Sequence, residues 1–144
     1  MVIRKGDVLL NGTGVGTIGR AAPYLREISA LPDNHVTVLR TTSLDPVFLS
    51  VFLNSLPGQL QIEQLIKGSS GQIELYPDDV AKIIVWEAPK KKQESVRDQV
   101  LGAFAQEQKA HALLNTAKRA VEIAIKENEK AALRFLKDVG AGEA

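Results

Sequence analysis

The sequence contains no cysteine. That excludes a disulfide framework, a cysteine-ligated zinc site and a thiol nucleophile. Histidine is almost missing too: His35 and His111 are the only two, too few for a multi-histidine metal centre. No apolar run reaches the roughly 20 residues that span a bilayer, and no signal peptide precedes the first strand-like segment. These gaps point to a cytoplasmic chain with no membrane partner. Excess charge is lacking as well. Eighteen Lys and Arg face 17 Asp and Glu, a net +1, so bulk charge does not announce a nucleic-acid binder. What is present is ordinary: 144 residues, 44% hydrophobic and 24% charged, enough for one small domain with an appendage.

Two textures meet at Pro89. Residues 1–89 are short apolar runs punctuated by Gly and Pro, with seven basic and nine acidic groups, a balance of −2. Residues 90–144 therefore carry +3, and from 90 to 138 they contain no Pro and the single glycine Gly102. The expected organisation is an α+β head over 1–89, one long helix over 90–139 and a flexible tail over 140–144. Within the head, Asp7-Val8-Leu9-Leu10 reads as a buried strand ended by Asn11-Gly12. A second strand is expected in Val15–Tyr24, and His35–Arg40 alternates in the strand manner. Asp45 is placed to cap a helix with Pro46 at its first position, and Val47, Phe48, Val51, Phe52 and Leu53 form its apolar face. Leu56-Pro57-Gly58 ends it. Gln59–Ile66 follows as a short helix burying Leu60, Ile62, Leu65 and Ile66. Lys67–Gln72 reads as a polar loop, and Ile73–Leu75 and Ile83–Trp86 as strands with a turn at Pro77-Asp78-Asp79 between them.

The motif Gly14-Val15-Gly16-Thr17-Ile18-Gly19 fits the dinucleotide fingerprint in letters only. A fingerprint must open a helix whose amides face a pyrophosphate. Here Pro23 interrupts, and no acidic residue follows at the ribose position. No cofactor is expected, and the glycines read as a tight turn. Asp78-Asp79 has no third ligand or base, and neither histidine has a nucleophile partner. No catalytic set emerges, so the chain reads as a non-enzyme without a metal. Lys67, Ser69, Ser70 and Gln72 form a donor-rich stretch. Its cation and hydroxyls suit phosphate oxygens and its amide suits an adenine edge, although such loops also cap their own backbone.

The long helix carries the clearest pattern. Ala103, Ala110, Ala117, Ala124 and Ala131 repeat every seven residues, with Val96 one step earlier. Val100, Glu107, Leu114, Val121, Asn128 and Phe135 form the alternating column. Spacings of three and four are those of a coiled-coil core, and a strict seven implies a left-handed supercoil. Leu101, Phe104, Leu113, Ala120, Ile125 and Leu136 widen the stripe, enough for more than one covered surface. A helix from Lys91 to Asp138 is about 70 Å long, far longer than the head, so a second helix is expected to cover it.

The ordered series of motifs resembles the specificity subunit of type I restriction-modification enzymes. The residues that carry it are Gly6-Asp7-Val8-Leu9-Leu10, then Gly16-Thr17-Ile18-Gly19, then a strand ending in Arg40. Asp45-Pro46-Val47-Phe48-Leu49 with Phe52-Leu53-Asn54-Ser55 comes next, followed by Gly68–Gln72 and by Pro89 with Gln93-Glu94. The resemblance implies a target recognition domain, a spacer helix that pairs as an antiparallel coiled coil, double-stranded DNA as ligand, and methyltransferase and restriction subunits as partners. A full subunit holds two such units and this chain one, so the expected assembly is a homodimer. Its interface would use Val96, Val100, Ala103, Ala110, Leu114, Ala117, Val121, Ala124, Asn128, Ala131 and Phe135. Chemistry and resemblance together name Lys67, Ser69, Ser70, Gln72, Arg20, Tyr24, Arg26 and Arg40 as DNA-binding candidates, with Arg40 equally suited to an internal ion pair. Family domains carry a further stretch before the first motif. A shortened head gives the competing reading, a dimerising scaffold that does not bind DNA.

Overall fold

The computed structural model describes residues 1–69 and 72–142. It is mixed α and β, and it divides into two compact units, 1–98 and 99–144. In the first, β1 (Val8–Asn11) is the middle strand of an antiparallel sheet ordered β2-β1-β3, flanked by β2 (Ala21–Pro23) and β3 (Val36–Leu39). Val8 and Leu10 are fully buried while Leu9 and Asn11 are half-buried, the alternation of a strand with one face on the core. Val8 packs with Leu49 and Leu53, and Leu10 packs with Ile62, Leu75 and Val80. The second strand is shorter than expected. Gly14, Gly16 and Gly19 have positive φ and fold the preceding segment into a turn, with the Thr17 and Ile18 N–H groups donating to Gly14 O.

Helix α1 (Pro46–Asn54) starts as its letters require: Asp45 Oδ1 accepts from the N–H groups of Val47 and Phe48 at 2.9 and 3.1 Å. Its inward face differs from the expected one. Leu49 and Ser50 are buried and Val51 is exposed, because the Ser50 hydroxyl donates to Val47 O at 2.7 Å and needs no outside partner. Asn54 then reaches both backbone groups of Ala21, accepting at 3.0 Å and donating at 2.6 Å, and ties the helix to β2. Helix α2 (Leu56–Leu65) begins three residues earlier than expected, with Pro57 in its first turn. Ile62 is buried, Leu65 and Ile66 are half-buried, and Leu60 is exposed.

Gly58 sits where α2 crosses the end of α1. A Cβ there would lie 2.4 Å from Phe52 O and 2.6 Å from Leu53 O. Backbone carbonyls held in a helix cannot step aside as a side chain can. Gly58→Ala is therefore expected to destabilise the protein by about 2 kcal/mol, an overpacking cost that a shifted urea midpoint would show.

After α2 come β4 (Lys67–Ser69), β5 (Gln72–Glu74) and the short α3 (Pro77–Val80). Ile83–Trp86 is not a strand. It alternates as one, with Ile83 and Val85 half-buried and Ile84 and Trp86 exposed, but its partner is a side chain. The Gln61 amide takes the place of a neighbouring strand, accepting from Ile84 N–H at 2.8 Å and donating to Ile84 O at 3.0 Å.

Helix α4 (Lys90–Lys126) starts one residue after Pro89, but the first unit extends into it, to Asp98. Gln93 explains this: it is buried, donates to Ala88 O at 2.7 Å and accepts from Asp45 N–H at 2.8 Å. Arg97 adds an ion pair to Asp45 at 3.3 Å. The expected single helix breaks at Glu127 and Asn128, and α5 (Glu129–Gly142) follows. Asn128, assigned above to the dimer seam, caps α5 instead: its Oδ1 accepts from Ala131 N–H at 3.0 Å. Asparagine is a poor interior helix residue and a strong cap, so a heptad position becomes a helix start. Ala120 and Ala132, one on each side of the break, are both buried. Gly140 does not stop the helix, which runs to Gly142; Glu143 and Ala144 lie outside the described residues.

Candidate nucleic-acid interface

The expected polar loop is a two-stranded ribbon. β4 and β5 pair antiparallel with Lys67 opposite Glu74, Gly68 opposite Ile73 and Ser69 opposite Gln72. Glycine at 68 makes that pairing possible: its φ is +108°, and a Cβ would stand 2.1 Å from Gln72 O. Side chains alternate across a ribbon, and residues directly opposite share a face. Lys67, Ser69, Gln72 and Glu74 therefore project from one face, and all four are exposed. Three of the expected DNA-binding residues meet there. Ser70 lies outside the described residues.

The ribbon is anchored to the sheet through Gly12 and Thr13. Leu75 N–H donates to Gly12 O at 2.9 Å, Gly12 N–H donates to His35 O at 2.7 Å, and Thr13 forms a β-bridge with Glu74. An open groove results, with Lys67, Gln72, Glu74 and Tyr76 on one side and Thr13 and His35 on the other. Asp79 is buried and ion-paired with both Lys67 and Lys82, each at 2.6 Å. The Lys67 bond and then the Lys82 bond hold its carboxyl below the ordinary range, against the opposing effect of burial. The Lys67 ammonium also lies 5.8 Å from the centre of the Tyr76 ring. The nearby Glu74 carboxylate raises the pKa of the Tyr76 hydroxyl.

The other candidates lie elsewhere on the sheet. Arg20 is exposed beside the Asn11 end of β1, its carbonyl accepting from Asn11 N–H at 2.9 Å. Tyr24 and Arg40 flank the opposite end, one strand length away, about 13 Å at some 3.3 Å per residue. The Tyr24 hydroxyl donates to Ile28 O at 2.6 Å. Arg40 is committed to the fold: its Nε and Nη2 each donate to the buried Asp7 carboxylate at 2.7 Å. Arg26 is exposed in the segment after β2. The eight residues are therefore not one patch.

No protein-family model matches this chain, and no curated protein matches it.

Among the described residues there is no group of three or more His, Asp or Glu placed to hold a metal ion, and no helix is long and apolar enough to cross a membrane. The helix seam is largely open. Ala103, Ala110, Leu114, Ala117, Val121 and Ala124 are exposed, with Leu114 at 52% and Val121 at 59%. Val96, Val100, Ala131 and Phe135 are half-buried. Leu114, Ala117 and Val121 line a shallow apolar groove on α4. Ala120 is covered and its neighbours on the seam, Ala117, Val121 and Ala124, are not.

Glu74, Tyr76, His35 and Thr13 line the groove and Asp79 bonds Lys67, and sequence reasoning missed these roles. Glu74 carried a usable signal: it lies two positions after the polar Gln72, the strand period, and across the glycines from Lys67. Thr13, His35 and Asp79 carried none, because chain crossings remote in sequence bring them in.

Proposed function

We propose that this chain is a non-catalytic DNA sequence-recognition module, of the kind that specificity subunits supply to type I restriction-modification enzymes. The ribbon carries the reading: it offers a cation, a hydroxyl, an amide and a carboxylate from one exposed face. Two strands lie about 4.8 Å apart, which fits a major groove roughly 12 Å wide. The exposed apolar seam of α4 supports pairing with a second copy, an antiparallel arrangement in the resembling family, so that two heads would face two half-sites. Methyltransferase and restriction subunits would supply the chemistry, in the cytoplasm.

The second reading, a dimerising scaffold without DNA affinity, is favoured by the −2 balance of residues 1–89. Titration of labelled duplex of mixed sequence separates the two. The recognition module binds at micromolar protein in low salt and weakens steeply as salt rises, through release of counterions from phosphates. A protein that sediments as a dimer and gives no duplex signal even in low salt is the scaffold.

A further inference from the structure

We infer that the cross-strand pair Lys67 and Glu74 reads a G·C base pair in the major groove, an inference that rests on the DNA-recognition reading above. The two residues are directly opposite in the ribbon register and both are exposed. Directly opposite side chains in an antiparallel pair start about 5 Å apart. A G·C pair presents two neighbouring acceptors, guanine N7 and O6, and beside them one donor, the cytosine N4 amino group. An ammonium next to a carboxylate is the complement of that edge: Lys67 covers the acceptors and Glu74 takes the amino hydrogen. An A·T pair fits poorly. A carboxylate that reaches adenine N6 also faces the lone pair of N7, and the thymine methyl crowds the ammonium.

Lys67 is prepared for this role by a residue that does not itself reach a base. Among the described residues, Lys67 and Glu74 are not ion-paired with each other, despite facing one another. Lys67 is drawn to Asp79 at 2.6 Å. Asp79 is buried and keeps Lys82 as a second cation, so it cannot follow Lys67 outward. An ammonium has three N–H donors. Lys67 therefore retains capacity for a base after its orienting bond is made. Orientation fixed before binding leaves less freedom to lose on binding. Asp79 is the positioning residue.

The test is a selection of bound duplexes from a randomised library with the full-length protein, followed by anisotropy titration of the enriched sequence and of variants in which one pair at a time is changed. The wild type should enrich at least one invariant G·C position per half-site, with G·C to A·T exchange there weakening binding about 5- to 150-fold, the range of one good base contact. Glu74→Gln should abolish that preference at the same position and leave affinity for non-selected duplex unchanged or tighter, since a negative charge is lost. Asp79→Asn removes the charge that holds Lys67. In protein that circular dichroism shows to be folded, it should reduce the preference at that position without weakening non-selected affinity, an effect that a purely structural aspartate would not produce. Enrichment without an invariant G·C pair, or a Glu74→Gln protein that keeps the wild-type preference, overturns the inference and leaves DNA recognition standing. A wild-type protein that enriches nothing and binds no duplex overturns both.

Discussion

Replacing Val121 by glutamate is expected to abolish dimer formation at micromolar protein while leaving the head folded. Val121 is 59% exposed on a single chain and lines the α4 groove with Leu114 and Ala117. In the proposed pairing a second copy would cover that groove and take Val121 out of water. A carboxylate placed there would have to be dehydrated with no cation in the seam column to meet it. The penalty for burying an unpaired charge is at least about 3 kcal/mol, and a two-fold dimer contains the change twice. A tenfold change in affinity corresponds to about 1.4 kcal/mol, so the dimer constant should weaken by at least about 100-fold. Sedimentation velocity reads the outcome directly. A second variant guards against a trivial result: Val121→Lys should weaken pairing similarly, whereas Ile125→Glu, 80% exposed and outside the two seam columns, should not. If Val121→Glu leaves the sedimentation coefficient of a wild-type dimer untouched, the seam is not the interface.

The second large effect concerns Asp7. This carboxylate is 2% exposed and accepts three hydrogen bonds: from Arg4 N–H at 2.8 Å, and from Arg40 Nε and Nη2 at 2.7 Å each. It lies beside Tyr24, which donates its N–H to Asp7 O at 2.8 Å, so one residue joins β3, the start of β1 and the strand on the other side. Asp7→Ala would leave the Arg4 N–H without its partner and a small void next to Val8. Hydrogen bonds to charged groups contribute about 1.5–3 kcal/mol each. Arg40 is nearly half-exposed and would be rehydrated, which lowers the total, so the expected loss is about 3 kcal/mol. The pH dependence identifies the cause. The Arg40 guanidinium, aided by the Arg4 N–H and opposed by burial, holds the Asp7 carboxyl below its ordinary 3.8. A lowered carboxylate stabilises the fold above its unfolded-state pKa, and that contribution is lost as pH falls through the folded value. The gap between wild type and Asp7→Ala should be full above pH about 5 and narrow steadily in acid, below about pH 4. Urea melts at pH 7 and at pH 3 measure both ends. A gap that stays constant between them would mean that the aspartate acts through packing and not through its charge.

These two residues also show why some of the structure was legible in the letters and some was not. The sheet's middle strand, the α1 cap and the long helix follow from local rules: alternation at Val8–Leu10, Asp45 before Pro46, and the absence of Pro after 89. Local rules failed where a side chain takes over a backbone's role. Ile83–Trp86 has the pattern of a strand and lacks only a strand to pair with, because the Gln61 amide fills that place. The Lys67–Gln72 stretch has the letters of a loop, because Gly and Ser dominate it. Gly68 instead lets the two backbones approach closely enough to pair. The heptads ran unbroken through Asn128, but its side chain captured the Ala131 N–H and started a new helix.

Periodicity, capping letters and the distribution of Gly and Pro, all properties of neighbours along the chain, determined the α+β class, the sheet's strands, the capped helix and the apolar seam. Tertiary contacts alone decided which polar residues share a surface. Lys67, Gln72 and Glu74 meet Thr13 and His35 only because Gly12 is bonded on both sides, to His35 and to Leu75. The same contacts withdrew Arg40 from any ligand by burying Asp7 beneath it. A sequence shows which groups could bind, but long-range packing sets how far each is already committed: Arg40 gives two bonds to Asp7 and one to Val2 O, whereas Lys67 gives one, to Asp79.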